Sequence, residues 1–366
     1  MSTNQNNKKN TFFMSLALQQ ANTVLGNTKD NPAVGCIITN NNRLIAAAAT
    51  SINGRPHAED NAISSSTEKL KNSNLYVTLE PCSHYGKTPP CINRIIKNKV
   101  KKVFFSIKDP DIRSYNKSSR ILKKKGIAVI NGLLLKEVKN FYKSYLLNKK
   151  NKIPFVTSKL AMSKDCFTVN KKGKWITNEY SRGRVHLLRS QHDCIMTSSE
   201  TVIKDNPLLS CRINGLEKNT PARIVLDRNL RVPLKSNIIK NKYKYKTVIF
   251  YNKNKKRKIK QLKKYGIKLY KIPLDPEGHL NLNTSLNRAK YLGFSRIFLE
   301  TGIKLTSSFF KKKLINDFKI FISDEKLKKN GSGSIKSYFK TFLKNKSKKI
   351  EKINLLGDKL LSYNIK

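Results

Sequence analysis

The sequence predicts two α/β domains in tandem, and three observations predict it. The chain has 366 residues, and at roughly 100–200 residues per domain two is the natural count. Short apolar runs alternate with helical segments along its length, the pattern of sheets covered by helices. A polar, basic stretch, Asn148-Lys149-Lys150-Asn151-Lys152, separates two such series and reads as a linker. The expected domains are residues 1–147 and 153–366.

In the first series, residues 12–25 place apolar side chains at helical spacing. Asn31-Pro32 interrupts the chain, and residues 34–39 (VGCIIT) read as a buried strand. The turn Asn40-Asn41-Asn42 leads to a second strand over 43–50. Gly54-Arg55-Pro56 opens a helix that begins near His57. LYVTLE (75–80) is the next strand, followed by a Pro-Cys turn and a helix over 91–97. Residues 100–107 and 126–130 read as further strands. The second series starts with PFVTSKLAM (154–162) and continues with strands at 193–199, 222–227, 246–251, 296–302 and 318–323. The tail 324–349 is rich in Lys and Ser and reads as poorly ordered.

Seventy-five Lys and Arg stand against 23 Asp and Glu, a net charge of +52. Such a charge suits a polyanion, either nucleic acid or an anionic membrane surface. Lys, Asn and Ile are heavy along the whole chain, however, as AT-rich codons would make them. The basic residues are spread rather than gathered in one motif, so compositional bias is the better reading. The densest run, Lys253 to Lys258, reads as a solvated face or loop. No stretch approaches the ~20 apolar residues of a membrane span. The polar start MSTNQNNKKN has no signal-peptide apolar core behind it. Six cysteines in a chain of this length are not a small secreted disulfide framework. The expectation is a cytoplasmic protein with no membrane partner and no specific nucleic acid, compatible with a homo-oligomer.

One constellation carries chemistry. Three protein ligands and one open position define a hydrolytic zinc site, and the metal brings the pKa of its water towards neutrality. Deamination also needs a carboxylate that takes a proton from water and hands it to the leaving amine. His57-Ala58-Glu59 at a helix start, Pro81-Cys82 after a strand, and Cys91 at the next helix start supply all these parts. His57, Cys82 and Cys91 are the expected Zn²⁺ ligands and Glu59 the expected proton carrier. Alone, a His-Ala-Glu reads as a surface helix start and two cysteines as core packing. Together, in this order and spacing, they match the nucleobase-deaminase signature.

Deaminases of single-stranded nucleic acid read Pro-Cys-x-x-Cys, whereas here residues 83–90 lie between Cys82 and Cys91. PCSHYGKTPPC (81–91), Asn31-Pro32-Ala33-Val34-Gly35-Cys36, Thr78 to His84 and Asp109-Pro110 together resemble the riboflavin-biosynthesis RibD/RibG family. The resemblance implies a cytidine-deaminase-like three-layer domain that hydrolyses an amino group of a small phosphorylated diaminopyrimidine. It also implies that Asn31, His84 and Lys87 line the pyrimidine and ribose-phosphate pocket. The chain departs from the family pattern at Thr50, Asp60, Asn61 and Ser114 to Ser118.

The same resemblance extends to residues 153–309 and implies a dihydrofolate-reductase-like domain that reduces the ribosyl group with NADPH. KLAMSKD (159–165), Trp175-Ile176-Thr177, Leu187-Leu188-Arg189, Thr201 to Arg212 and Glu300-Thr301-Gly302 carry it. Lys159, Gly173, Arg189, Leu209, Arg212 and Glu300 are the implied substrate contacts. Ala161, Trp175, Thr201, Asp205, Arg228, Gly302, Lys304, Thr306 and Ser308 are the implied cofactor contacts. Arg189 and Arg212 suit a phosphate, and Gly302 opens a helix whose N-terminus suits the cofactor's phosphates. No GxGxxG is present, which argues against a Rossmann site. The runner-up is an RNA base deaminase with a basic accessory domain, favoured by the charge. A non-catalytic basic binding protein leaves the zinc set unexplained.

Overall fold

A computed structural model describes residues 2–150, 153–173, 175–241, 245–335 and 343–366. The chain divides into two compact units, Met1–Asn151 and Lys152–Lys366. In the first, strands β1 (Gly35–Asn40), β2 (Arg43–Ala49), β3 (Asn74–Leu79), β4 (Lys102–Ile107) and β5 (Ala128–Asn131) form a sheet in the order β2-β1-β3-β4-β5. β1 runs antiparallel to β2 and β3, and β3, β4 and β5 are mutually parallel. Helices α1 (Ser2–Thr23), α2 (Ala58–Ser65), α3 (Cys91–Lys97), α4 (Lys117–Lys124) and α5 (Leu135–Lys150) accompany it.

The sheet is apolar on both faces because alternate residues of each strand point to opposite sides. Ile37, Tyr76 and Phe104 pack with Phe13, Met14 and Ala17 of α1. Their neighbours Cys36, Ile38, Leu75, Val77, Val103 and Phe105 join Ala58 and Ala62 of α2, Ile92 and Ile95 of α3 and Leu122 of α4. This gives three layers. Gly35 permits the first contact: a Cβ there would lie 1.8 Å from the Ala17 carbonyl oxygen.

The second unit contains β6 (Phe155–Met162), β7 (Phe167–Asn170), β8 (Cys194–Ser198), β9 (Ala222–Leu226), β10 (Thr247–Tyr251), β11 (Lys268–Lys271), β12 (Arg296–Glu300), β13 (Asp317–Ile322), β14 (Gly331–Ser334), β15 (Ser347–Ile350) and β16 (Lys359–Asn364). Nine of these form one sheet, β11-β10-β9-β8-β12-β6-β13-β16-β15, and β7 pairs with β14. The sheet is parallel from β11 to β13, and β16 and β15 are added antiparallel. The helices are α6 (Glu179–Ser190), α7 (Ser199–Asp205), α8 (Asn237–Lys240), α9 (Lys256–Lys264), α10 (Leu282–Tyr291) and α11 (Ile303–Lys311). α10 and α11 share a core with Val156, Ile224, Val248 and Ile297. α6, α7, α8 and α9 share another with Ile195, Val225, Ile249 and Phe298.

Three expectations need correction. Asn148, Lys149 and Lys150 are the last turn of α5 rather than a linker, because basic side chains suit the negative end of a helix; residues 151 and 152 lie outside the described set. The tail 324–349 is not poorly ordered throughout: it holds β14 and the start of β15, while residues 336–342 lie outside the described set. The basic run is solvated as expected, but its second half starts α9. No helix among the described residues is long and apolar enough to cross a membrane.

The contact at Gly35 yields a test. Gly35→Ala forces α1 away from β1 and lowers unfolding stability by about 2–3 kcal/mol, an overpacking cost. A denaturant midpoint equal to wild type would show that the helix yields without cost.

Candidate functional sites

The first site forms where three segments converge. His57 sits at the start of α2 in extended conformation, with Glu59 in the helix's first turn. Cys82 follows β3 and Cys91 begins α3. The His57 Nδ1 lies 3.3 Å from the Cys91 Sγ and 3.6 Å from the Cys82 Sγ. The Cys91 backbone N–H donates to the Cys82 Sγ at 3.2 Å. The three donor atoms all lie within 4.8 Å of one another, close enough to hold one metal ion. One imidazole and two thiols are a zinc donor set, so these residues fit zinc.

The electrostatics agree with thiolate chemistry. A hydrogen bond from Cys91, opposed by burial and aided by His57, draws the Cys82 thiol down to about 4. Its hydrogen bond to Cys82 and its own burial push the Cys91 thiol up. Burial, with the Cys82 thiolate nearby, pushes the Glu59 carboxyl up to about 7. Such a group can both accept and return a proton near neutral pH.

The surrounding residues are placed as follows. Asn31 Nδ2 donates to the Gly54 carbonyl at 2.9 Å. Gly54 has φ +93° and no room for a Cβ, which would lie 2.5 Å from Asn31 Nδ2. His84 Nδ1 lies 2.8 Å from Ser114 Oγ, and Lys87 is exposed on the same turn. Three residues absent from the expected site support it. Arg55 Nη1 donates to Thr88 Oγ1. Ser114 fixes His84. Glu80, buried at the end of β3, accepts backbone N–H groups of Asn116 at 3.1 Å and Asp109 at 3.4 Å. The departures are also bonded. Asp60 pairs with Arg94 at 3.7 Å. Asn61 donates to the Ala49 carbonyl at 2.8 Å. Thr50 Oγ1 accepts the Val34 N–H at 3.0 Å.

The second cluster lies towards the C-terminal ends of β6 and β12, the end of a parallel sheet where ligands generally bind. Lys159 and Glu300 are register partners. Arg189 of α6 grips Glu300 through two bonds, Nε to Oε1 at 2.7 Å and Nη2 to Oε2 at 2.9 Å. Its Nη1 donates to the Ser210 carbonyl at 2.9 Å. Burial works against the Glu300 charge, but Arg189 overrides it and holds the carboxyl below its usual range. Burial pushes the Lys159 ammonium down, with Glu300 opposing.

Several expected contacts need revision. Arg189 has its three donor nitrogens engaged by Glu300 and Ser210, so it braces the site rather than offering a free fork to phosphate. Leu209 is buried with φ +52°, so its backbone is what it offers. Thr306 is fully buried in α11, and its hydroxyl has no hydrogen-bond partner. Ser308 donates along the helix to the Lys304 carbonyl at 3.2 Å. Arg212 is exposed, as are Gly173, Asp205, Gly302 and Lys304. Trp175 is exposed with the Arg182 guanidinium over its ring at 5.0 Å. Thr201 bonds Ser198 at the α7 start, Ala161 packs against the core, and Arg228 donates to the Gly278 carbonyl. The open N-terminus of α11 at Gly302, beside exposed Lys304, fits a phosphate-bearing cofactor.

Comparison with known proteins covers both units. A family model for the cytidine and deoxycytidylate deaminase zinc-binding region matches residues 7–107. A model for the RibD C-terminal domain matches residues 154–353. The chain belongs to the RibD family. The riboflavin biosynthesis protein RibD of Aquifex aeolicus is 31% identical over 96% of this chain and 97% of its own length. That of Buchnera aphidicola is 35% identical over 86% and 87%. Among solved structures, Acinetobacter baumannii RibD superposes with a TM-score of 0.82 at 28% identity, covering 98% of this chain and 99% of its own. A diaminohydroxyphosphoribosylaminopyrimidine deaminase/5-amino-6-(5-phosphoribosylamino)uracil reductase from Thermotoga maritima gives 0.83 at 27% identity with the same coverage. This RibD-family chain therefore has the fold expected of it: a deaminase-like first unit and a reductase second unit.

The donor cluster yields a test. Cys82→Ala and Cys91→Ala each lose most of the zinc, because two ligands leave an incomplete coordination set. Metal analysis finding about one zinc per chain in both variants would overturn the ligand assignment.

Proposed function

We propose that this chain performs two consecutive steps of riboflavin biosynthesis. It deaminates 2,5-diamino-6-ribosylamino-4(3H)-pyrimidinone 5′-phosphate, then reduces the ribosyl group of the product to ribityl. The observation that carries this reading is the His57–Cys82–Cys91 cluster beside buried Glu59, in a chain whose second unit is the family's reductase. An RNA base deaminase would leave that second unit without a task. The cytoplasm is the proposed place of action, in keeping with six unpaired cysteines.

When bound, Zn²⁺ lowers the pKa of water into the neutral range, and NADPH provides the hydride for the second step. The rest falls to side chains. Glu59 takes a proton from the attacking water and delivers it to the amine, which leaves as ammonia. Asn31 and His84 orient the pyrimidine, and exposed Lys87 meets the phosphate. In the second unit, Lys159 and Glu300 hold the sugar where hydride arrives, and Arg212 contacts the phosphate. Arg189 keeps Glu300 charged and oriented.

Two variants separate the halves. Glu59→Gln keeps its zinc and loses deamination by at least ~100-fold, the scale of a lost general acid–base group, while supplied deaminated substrate is still reduced. Deamination near the wild-type rate would assign the proton to another residue. Arg212→Ala raises the reductase KM for its phosphorylated substrate roughly ten- to a hundredfold, the worth of a charge-assisted contact. Deamination stays intact, since distant sites act independently. Loss of deamination in a folded Arg212→Ala protein would refute two separate sites.

A further inference from the structure

We infer that His186 is a positioning residue for the reductase, setting the backbone from which Arg212 reaches the substrate phosphate. This rests on the reading of Arg212 given above. His186 lies on α6, three residues before Arg189. Its Nδ1 is 2.9 Å from the Ser210 carbonyl oxygen, 3.1 Å from the Arg212 backbone nitrogen and 3.4 Å from Arg189 Nη1. An unprotonated Nδ1 accepts the Arg212 N–H, and a protonated one donates to Ser210. Either tautomer ties α6 to this segment. Burial, with Arg189 and Arg212 close by, pushes the imidazole down to about 4. It therefore stays neutral and adds no further repulsion between those two cations.

The segment is held from behind at nearly every residue. Arg223, fully buried, donates Nη1 to the Leu208 carbonyl at 3.0 Å. Arg189 holds the Ser210 carbonyl. The Cys211 N–H donates to Thr220 Oγ1 at 3.0 Å. Only at Arg212 does the chain emerge into solvent, and its N–H goes to His186. A side chain at the edge of a fixed segment inherits its direction from that last bond. Losing the bond lets the Arg212 stem swing, which weakens phosphate contact, while Arg189 keeps its two bonds to Glu300 and its bond to the Ser210 carbonyl.

The test compares His186→Leu, which removes the group, with His186→Asn, whose side-chain amide stands near the Nδ1 position. His186→Leu raises the KM for 5-amino-6-(5-phosphoribosylamino)uracil about tenfold, the worth of one hydrogen bond. The kcat and the KM for NADPH hold, showing that the second unit is folded. His186→Asn returns the substrate KM towards wild type. An unchanged KM in the Leu variant, equal losses in both variants, or kcat and the NADPH KM failing together would overturn the proposal. Arg212→Ala is measured alongside. If it raises KM while His186→Leu does not, the positioning role alone fails. If Arg212→Ala has no effect, the phosphate reading fails and takes the positioning role with it.

Discussion

The first unit depends on bringing three donor atoms within 4.8 Å of one another. Two of them, His57 and Cys91, stand at the starts of α2 and α3, where unsatisfied backbone N–H groups favour negative charge. The third, Cys82, is held on a turn by a backbone N–H from Cys91. The hydrogen bonds from Cys91 and His57 favour the Cys82 thiolate, the form in which a thiol ligates a metal. The turn itself needs Glu80. That carboxyl is buried, and its Oε2 accepts backbone N–H groups from the Asp109–Asn116 loop. The same loop delivers Ser114 to His84. Metal ligands and pocket wall are therefore one hydrogen-bonded object rather than two features that happen to adjoin.

The second unit solves a related problem with opposite charges. Glu300 is needed at a strand end with little water to stabilise it. A bidentate guanidinium supplies the compensation, and the third nitrogen of Arg189 goes on to fix Ser210. Removing either partner would leave a buried uncompensated charge, which is far costlier than the pair itself is stabilising. That asymmetry explains why the Leu-Arg helix ending and the Glu-x-Gly turn, which lie 111 residues apart, read as one motif set.

The sequence made the chemistry more legible than the periphery. Strands β1, β3, β4, β8, β9 and β10 are covered on both faces, so they appear as unbroken apolar runs. β15 reads SKKI and is exposed throughout; an edge strand without an apolar face carries no pattern to find. α5 hid its last turn because Asn and Lys fit a linker as well as a helix end. His57, Glu59, Cys82 and Cys91 were legible from spacing alone, whereas Ser114 and Arg94 act across 30 or more residues and leave no local trace. The burial of Thr306 was legible as well. Ile303, Thr306, Ser307 and Phe310 follow the i, i+3, i+4, i+7 spacing of a buried stripe, and they are the buried face of α11.

The excess of positive charge does not extend to the interior, where several acids remain. Glu59, Glu80, Asp109, Asp227, Asp275, Glu300 and Asp358 are all buried. Most have structural partners that Lys could not replace. Asp227 accepts the Val232 N–H at 2.8 Å, and Asp358 accepts the Ser181 hydroxyl at 2.7 Å and the Asn178 N–H at 2.9 Å. Asp193 likewise accepts the backbone N–H groups of Ser295 and Arg296. A buried acceptor of this kind resists substitution, since its donors would be left unsatisfied. An exposed acid has no such constraint, and surface substitutions cost little. The net charge of +52 thus coexists with an interior whose carboxylates are held by backbone and side-chain donors, and neither catalytic cluster has to be explained by a polyanion.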